Sequence, residues 1–535
     1  GNDLDNDIIG NDAANIIKGG GGADRMEGLG GDDTYFVDSR DDVVVEVEGG
    51  GVDTVFSTVS FDARFTHVEN LRAQGSAARN LVGNDLDNDI IGNDAANIIK
   101  GGGGADRMEG LGGDDTYFVD SLDDVVIEVA GGGVDTVIST VGFDARFTHV
   151  ENITLTGDAA ADVVANDLNN IIIGNSAANI INGGGGADRM EGLGGDDTYF
   201  VDSRDDVVIE VEGGGVDTVF STVSFDGRFT HVENITLTGD DNANAVGNDL
   251  NNVIRGNGGA NILKGLGGDD TYYVDSRDDV VVEVAGGGID TVFSTVSFDA
   301  RATHVENITL VGDANANAVG NDLDNIIIGN DTANIIKGGG GADRMEGLGG
   351  DDTYFVDSRD DVVIEVEGGG VDTVFSTVSF DARFTHVENV TLQGSSNANV
   401  VANDLSNIIV GNSAVNIIIG NGGADYLTGG GGADTFRYNA VSDSSFADYD
   451  RIMDLGADDF IDLRNIDANV NVAGNQSFTQ VDELTGEAGQ MILTWLPSAG
   501  FTVLAADVDG DGVADMRIVL YGDHSDFDNF LGVGG

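Results

Sequence analysis

One block of sequence, GNDLDN or its near-copy ANDLNN, recurs at Gly1, Gly83, Ala165, Gly247, Gly320 and Ala402, and the spacing is 82 residues everywhere except 73 in the unit that starts at Gly247. Self-similarity at a fixed period marks a repeat architecture and overrides any local reading. The short unit is the more informative one. It reads GNDLNNVIR, GNGGANILK, GLGGDDTYY and lacks one block of the kind GGGGADRME. A piece of nine residues can therefore be removed with both flanks intact, so nine residues are a structural quantum.

Each full unit opens with four such nonapeptides, in the first unit GNDLDNDII, GNDAANIIK, GGGGADRME and GLGGDDTYF. The third fits G-G-x-G-x-D-x-U-x, with Asp24 at position six and apolar Met26 at position eight. Asp106, Asp188 and Asp343 repeat that aspartate, and Asp33, Asp115, Asp197, Asp270 and Asp352 hold position six of the block that follows. The last unit adds Asp425 in NGGADYLTG and Asp434 in GGGGADTFR. These blocks resemble the RTX (repeats-in-toxin) family of calcium-binding β-helix repeats.

Glycines such as Gly20 and Gly22 permit positive φ and close backbone approach, so a six-residue turn can aim carbonyl oxygens inward beside the aspartate carboxylate. Calcium takes about 6–8 oxygens, more than one such turn offers, so two stacked turns are expected to share an ion. The remaining three residues, x-U-x, predict a short strand whose middle side chain enters the core. Two nonapeptides then make one coil, as in the parallel β-roll that the resemblance implies. Blocks with asparagine at position six, Asn6 and Asn15 among them, keep an oxygen and lose the charge. They are expected to bind calcium weakly or not at all and to satisfy turn backbone by hydrogen bonds.

The longer segments between nonapeptide clusters, such as residues 37–82, contain strand-like runs DVVVEV and DTVFSTVSF bounded by Gly and Asp. They are expected to continue the coil as about five more half-turns. A full unit is then an odd number of half-turns, and the calcium clusters should change edge from one unit to the next.

Composition agrees with an ion-dependent fold. The chain has 83 glycines, one proline and a formal charge of −71, from 95 acidic and 24 basic residues. Such self-repulsion requires counter-charge from solution, and multivalent cations fit better than nucleic acid, for which no basic stripe exists. Cysteine is absent, which removes disulfides and thiolate metal sites, and no apolar stretch reaches membrane-spanning length. The chain opens in mid-pattern without Met, so a larger protein is expected to continue upstream.

From about Ala433 the repetition stops. ADTFRYNAVSDSSFADYDRIMDLGADDFIDLRNIDANV, DVDGDGVADMRIVLYG and DFDNFLGV resemble the domain that ends serralysin-type metalloproteases. The resemblance implies a β-rich cap over residues 433–535 and a type I secretion signal including Phe527, Phe530 and Leu531, with 1–432 as the calcium-binding roll. Asp507, Asp509 and Asp511, with Asp515, are spaced like the first half of an EF-hand loop around Gly512, but position twelve is Ile518 instead of Glu. The segment reads as a calcium loop or as an acidic hairpin turn.

No H-E-x-x-H or G-x-S-x-G occurs, and each T-H-V-E-N, at His67, His149, His231, His304 and His386, offers a single imidazole, read as a structural position. Asp41 and Asp42 are assigned to solvent or turn chemistry. The expectation is an all-β, non-enzymatic protein, secreted to the cell surface or beyond, that folds on calcium and acts as a spacer. Two alternatives stand beside it. One is a self-assembling layer, filament or adhesin stalk, with other copies of itself or cell-surface polysaccharide as partners; the other is the non-catalytic end of an exoenzyme.

Overall fold

A computed structural model describes residues 1–534. The chain forms two compact units, Gly1–Gly268 and the chain from Asp269 on. Among the described residues the only helical element is a single 3-10 turn, Val441–Ser444, and all other regular structure is short strands.

In the amino-terminal unit the strands alternate between two parallel sheets. Asp7–Asn11 pairs with Arg25–Leu29, which pairs with Val43–Val45. Ile16–Lys18 pairs with Thr34–Val37, then come Thr54–Ser57, Asn70–Ala73, Asp89–Ile91, Arg107–Glu109 and Val125–Ile127. Within the nonapeptide clusters each strand pairs with the strand two blocks away in the chain, Asp7 in register with Arg25 and Ile16 with Thr34. This is a parallel β-solenoid, and its coil is two nonapeptides.

In the repeat coils, up to Thr435–Arg437, each three-residue strand turns its middle side chain inward, because successive side chains point to opposite faces. Ile90, Ile99, Met108 and Tyr117 are fully buried. Ile90 stands in register between Leu71 and Met108, so the core is a column of apolar rungs. Each rung contributes about 1.5–3 kcal/mol of burial. Within a rung the column tolerates exchange of one apolar residue for another, whereas loss of a whole nonapeptide shifts the coil by half a turn.

The longer segments do continue the coil. Val43–Val45, Thr54–Ser57, Phe61–Asp62, Asn70–Ala73 and Asn80–Val82 bring a full unit to nine strands. Looser turns here change the length of the coil. The step from Thr34 to its partner Thr54 is longer than two nonapeptides, and the step from Thr54 to its partner Asn70 is shorter. Nine is odd, and the expected edge change follows. Asp89–Ile91, the first-block strand of the second unit, stands in the sheet of Ile16–Lys18, the second-block strand of the first.

In the carboxyl-terminal unit the same coils run from Thr271–Val274 to Thr435–Arg437. Tyr426–Thr428 then pairs with Asp450–Ile452, and that strand with Met516–Tyr521. Met516–Tyr521, Phe501–Asp507 and Gln490–Leu496 form an antiparallel meander that carries this sheet away from the coil pattern. On the other sheet Thr435–Arg437 is followed by Phe460–Asp462 and Phe530–Leu531. The last coil strands are thus paired by non-repetitive sequence, which leaves neither as an open edge.

Candidate metal centres

The four glycines before Asp24 have separate tasks. Gly20 and Gly22 have φ of +86° and +123°, values open to glycine at little cost. A Cβ on Gly20 would stand 2.6 Å from the Asn2 carbonyl oxygen of the adjacent coil, and one on Gly22 2.7 Å from the Leu4 carbonyl carbon. At Gly19 the obstacle is Asp24 itself, whose Oδ2 would be 2.2 Å from a Cβ. The aspartate folds back over the first glycine of its own turn.

Position six forms a ladder along the edge. The Asn6 amide donates to Asp24 Oδ1 at 2.7 Å, and the Asp24 amide donates to Asp42 Oδ1 at 3.0 Å. Asn88, Asp106 and Asp124 repeat the arrangement, as do Asn170, Asp188 and Asp206, and Asn325, Asp343 and Asp361. One carboxylate oxygen is thereby held by the neighbouring coil. The other, Oδ2 of Asp24, Asp106, Asp188 and Asp343, is buried with no hydrogen-bond partner. Burial pushes Asp106 and Asp188 up to about 7 and Asp343 up to about 6, against the opposing pull of the amide hydrogen bond. Asp42, by contrast, ends the ladder as a turn cap, its Oδ2 accepting from the amides of Asp38 and Ser39.

The opposite edge is more acidic. Asp33 Oδ1 accepts from the Asn15 amide at 2.6 Å, the Asp33 amide donates to Asp53 Oδ1 at 2.7 Å, and the Asp53 amide to Glu69 Oε2 at 2.7 Å. The Tyr35 hydroxyl donates to Glu46 Oε1. Ligand oxygens of Asp33, Glu46 and Asp53 all lie within 4.8 Å of one another, and so do those of Asp115, Glu128 and Asp135, Asp197, Glu210 and Asp217, Asp270, Glu283 and Asp290, and Asp352, Glu365 and Asp372. Burial is again the main cause of raised carboxyls, with Asp115, Asp197 and Asp352 pushed up to about 7. Glu46 and Asp53, and their counterparts in later units, were not among the ligands expected from the nonapeptides. Their signal lay in the recurrence of DVVxEV and G-[VI]-D-T once per unit, in coils where no nine-residue consensus marks them.

In the last unit Asp425 Oδ1 accepts from the Asn407 amide at 2.7 Å, and the Asp425 amide donates to Asp450 Oδ1 at 3.0 Å. Oδ2 of both aspartates and the Tyr438 hydroxyl are buried without partners. Burial holds both carboxyls well above the usual range, helped by the charge of Asp450 beside Asp425 and of Asp443 beside Asp450. Asp434 Oδ1 accepts from the Asn416 amide at 2.8 Å, and burial pushes its carboxyl up to about 6.

In the asparagine blocks the side-chain amide is taken up by backbone carbonyls, although Oδ1 of Asn170 and Asn407 is buried without a partner. Asn88 Nδ2 donates to the carbonyls of Val68 and Glu69 at 3.0 and 3.1 Å, while its Oδ1 accepts from the Asn84 amide at 2.8 Å. The histidines tie coils together: His149 Nδ1 lies 3.0 Å from the Glu128 carbonyl oxygen, and His67 makes the same contact with Glu46. Residues 508–515 join two antiparallel strands, and Asp507 accepts from the amides of Gly510 and Gly512, Asp509 from Asp511, and Asp511 from Val513. These three carboxylates thus cap a hairpin turn.

Asp24, Asp33, Asp106 and Asp188 form no ion pair with the chain's own cations. Arg25 is held by Asp7 and Glu27, Arg64 by Asp62 and Arg107 by Asp89 and Glu109, all outside the ladders. Buried, partnerless carboxylate oxygens stacked in hard-oxygen turns are the donor set that calcium takes. The family model for the RTX calcium-binding nonapeptide repeat matches residues 1–35, 82–117, 164–199, 246–281 and 319–354. The chain carries RTX calcium-binding nonapeptide repeats. Its repeats bind calcium, and Asp24, Asp33, Asp106, Asp115, Asp188, Asp197, Asp270, Asp343 and Asp352 lie within the matched segments. The model described as Peptidase M10 serralysin C terminal matches residues 349–531, which marks this protein as secreted, with a carboxyl-terminal domain associated with type I export. No curated protein matches the chain significantly.

Proposed function

We propose that this protein leaves the cell unfolded, folds when it meets extracellular calcium, and works there as a structural or spacer element. One observation carries the reading: Oδ2 of Asp24, Asp106, Asp188 and Asp343, one aspartate from each of four repeat units, is buried with no hydrogen-bond partner from the chain. Without cations the carboxylates repel and the glycine-rich chain is too costly to order. With them, ion binding becomes folding free energy, and export acquires a direction. In this reading Asp24, Asp33 and their counterparts through Asp434 are the ligands, helped by carbonyls of turns such as that of Gly20 and Gly22. Residues 433–535 cap the roll and bear the export signal around Phe527, Phe530 and Leu531.

Self-assembly is the second reading. Phe65, Phe147, Phe229 and Phe384 occupy one repeated position and are 89–93% exposed, a cost that burial against another molecule would relieve. Light scattering during calcium addition separates the two: a spacer stays monomeric as β-structure appears, whereas an assembling subunit grows.

A further inference from the structure

The consensus turns do not account for Glu46 or Asp53, nor for the tyrosine that Glu46 accepts from. The nonapeptide that contains Asp33 is followed by a coil that returns two more carboxylates to the same place, and this happens in every triad from Asp33 to Asp352. Asp33, Glu46 and Asp53 are buried, and Oδ2 of both aspartates has no hydrogen-bond partner. The same holds for Asp115 and Asp135, and for Asp197 and Asp217.

A second observation locates the convergence. A Cβ on Gly28 would stand 2.1 Å from Asp33 Oδ2, 2.2 Å from the Tyr35 hydroxyl and 2.5 Å from Glu46 Oε1. At Gly110, Gly192 and Gly347 the aspartate and tyrosine oxygens stand equally close, between 2.1 and 2.3 Å. Glycine is required because oxygens fill the cradle. Glu46 Oε2 faces a second glycine, Gly50, beside the Leu29 carbonyl oxygen, and a Cβ there would be 3.1 and 3.0 Å from them. Leu29 supplies that carbonyl from a left-handed backbone, φ +79°, and Leu111, Leu193, Leu266 and Leu348 share the conformation. A strained non-glycine residue kept at five equivalent points is over-determined by its surroundings.

Asp33, Glu46 and Asp53, buried together and outside any ion pair, are costly unless a cation joins them. All ligand atoms are hard oxygens, which suits calcium and disfavours zinc or copper. We propose that these triads form a second class of calcium site, one per triad, distinct from the glycine-rich turns around Asp24 and marked by a tyrosine next to the ion. The proposal rests on the calcium-binding reading above and extends it to residues outside the nonapeptides.

Terbium(III) replaces calcium on hard oxygens and emits when a tyrosine beside it is excited, so it reads these sites separately. Two full-chain variants are needed. In the first, Glu46→Gln, Glu128→Gln, Glu210→Gln, Glu283→Gln and Glu365→Gln should lower bound calcium, measured by elemental analysis of the intact protein, by five ions per chain, one for each triad. Tyrosine-sensitised terbium emission should fall at least twofold. In the second, Tyr35→Phe, Tyr117→Phe, Tyr199→Phe, Tyr272→Phe and Tyr354→Phe should lose at least half of the emission while keeping the calcium, the remainder coming from tyrosines such as Tyr438 beside Asp425. An unchanged ion count in the glutamine variant overturns the proposal. Should that variant fail to fold, full emission from the phenylalanine variant overturns it instead. Absence of calcium and terbium from the unaltered chain would refute the calcium-binding reading itself, a distinct outcome.

Discussion

The Asp33 amide donates to Asp53 Oδ1 at 2.7 Å, so two aspartates from successive coils are stacked rung on rung, each keeping its Oδ2 buried and unpartnered. Backbone hydrogen bonding brings like charges together along the edge, and only a species from solution can neutralise them. That conflict governs how the fold responds to ions, protons and substitution.

Aspartate and asparagine rungs should fail differently. Asp106→Asn removes a charge at the ion and should lower bound calcium and raise the calcium midpoint of folding. Asn88→Ala removes donors to Val68 and Glu69, and should cost about 1–3 kcal/mol at saturating calcium with the ion count unchanged. Calcium titration by circular dichroism, with melting at saturating calcium, tests both; equal calcium midpoints would contradict the distinction.

Turn glycines should resist substitution in one case and invite it in another. Gly102 has φ +98°, and a Cβ there would be 2.1 Å from the Asn84 carbonyl oxygen, so Gly102→Ala should destabilise by about 2 kcal/mol or more. Leu111, at φ +77°, occupies the same region without being glycine. Leu111→Gly should relieve about 1 kcal/mol of backbone strain and raise the melting temperature. Thermal unfolding in calcium measures each.

Acid should partly replace calcium. In the metal-free fold burial pushes Asp106, Asp115 and Asp188 up to about 7, above the ordinary aspartate value. A group whose folded value is raised binds more protons folded than unfolded, so its contribution is fully present below about pH 4 and is lost as pH rises through about 7. Metal-free protein should therefore show more β-structure at pH 4.5 than at pH 7.5. Calcium affinity runs the opposite way, weakening as pH falls through the same window, because protons compete for the ligands. Circular dichroism in chelator across this range provides the check.

Much of the fold was legible because the nine-residue quantum acts on backbone: GGGGADRME dictates a turn, a strand and one inward side chain, whatever lies next to it. The edge change was legible for the same reason, as the odd parity of half-turns in a full repeat unit. The triads were less so. Glu46 and Asp53 reach Asp33 only because the coil after the nonapeptides widens beyond two blocks, bringing Thr34 into register with Thr54, and no consensus marks that register. Asp507, Asp509 and Asp511 were ambiguous because the same spacing serves a cation loop and a self-capped turn. In the structure their oxygens go to backbone amides of the hairpin.

Chelation tests the central claim most directly. Purified full-length protein, folded in millimolar calcium and then dialysed into excess chelator at pH 7.5, should lose its β-sheet circular dichroism and its protection from protease, and regain both when calcium returns. An unchanged spectrum and undiminished protection after complete removal of the ion would show that something other than bound calcium holds the stacked carboxylates together.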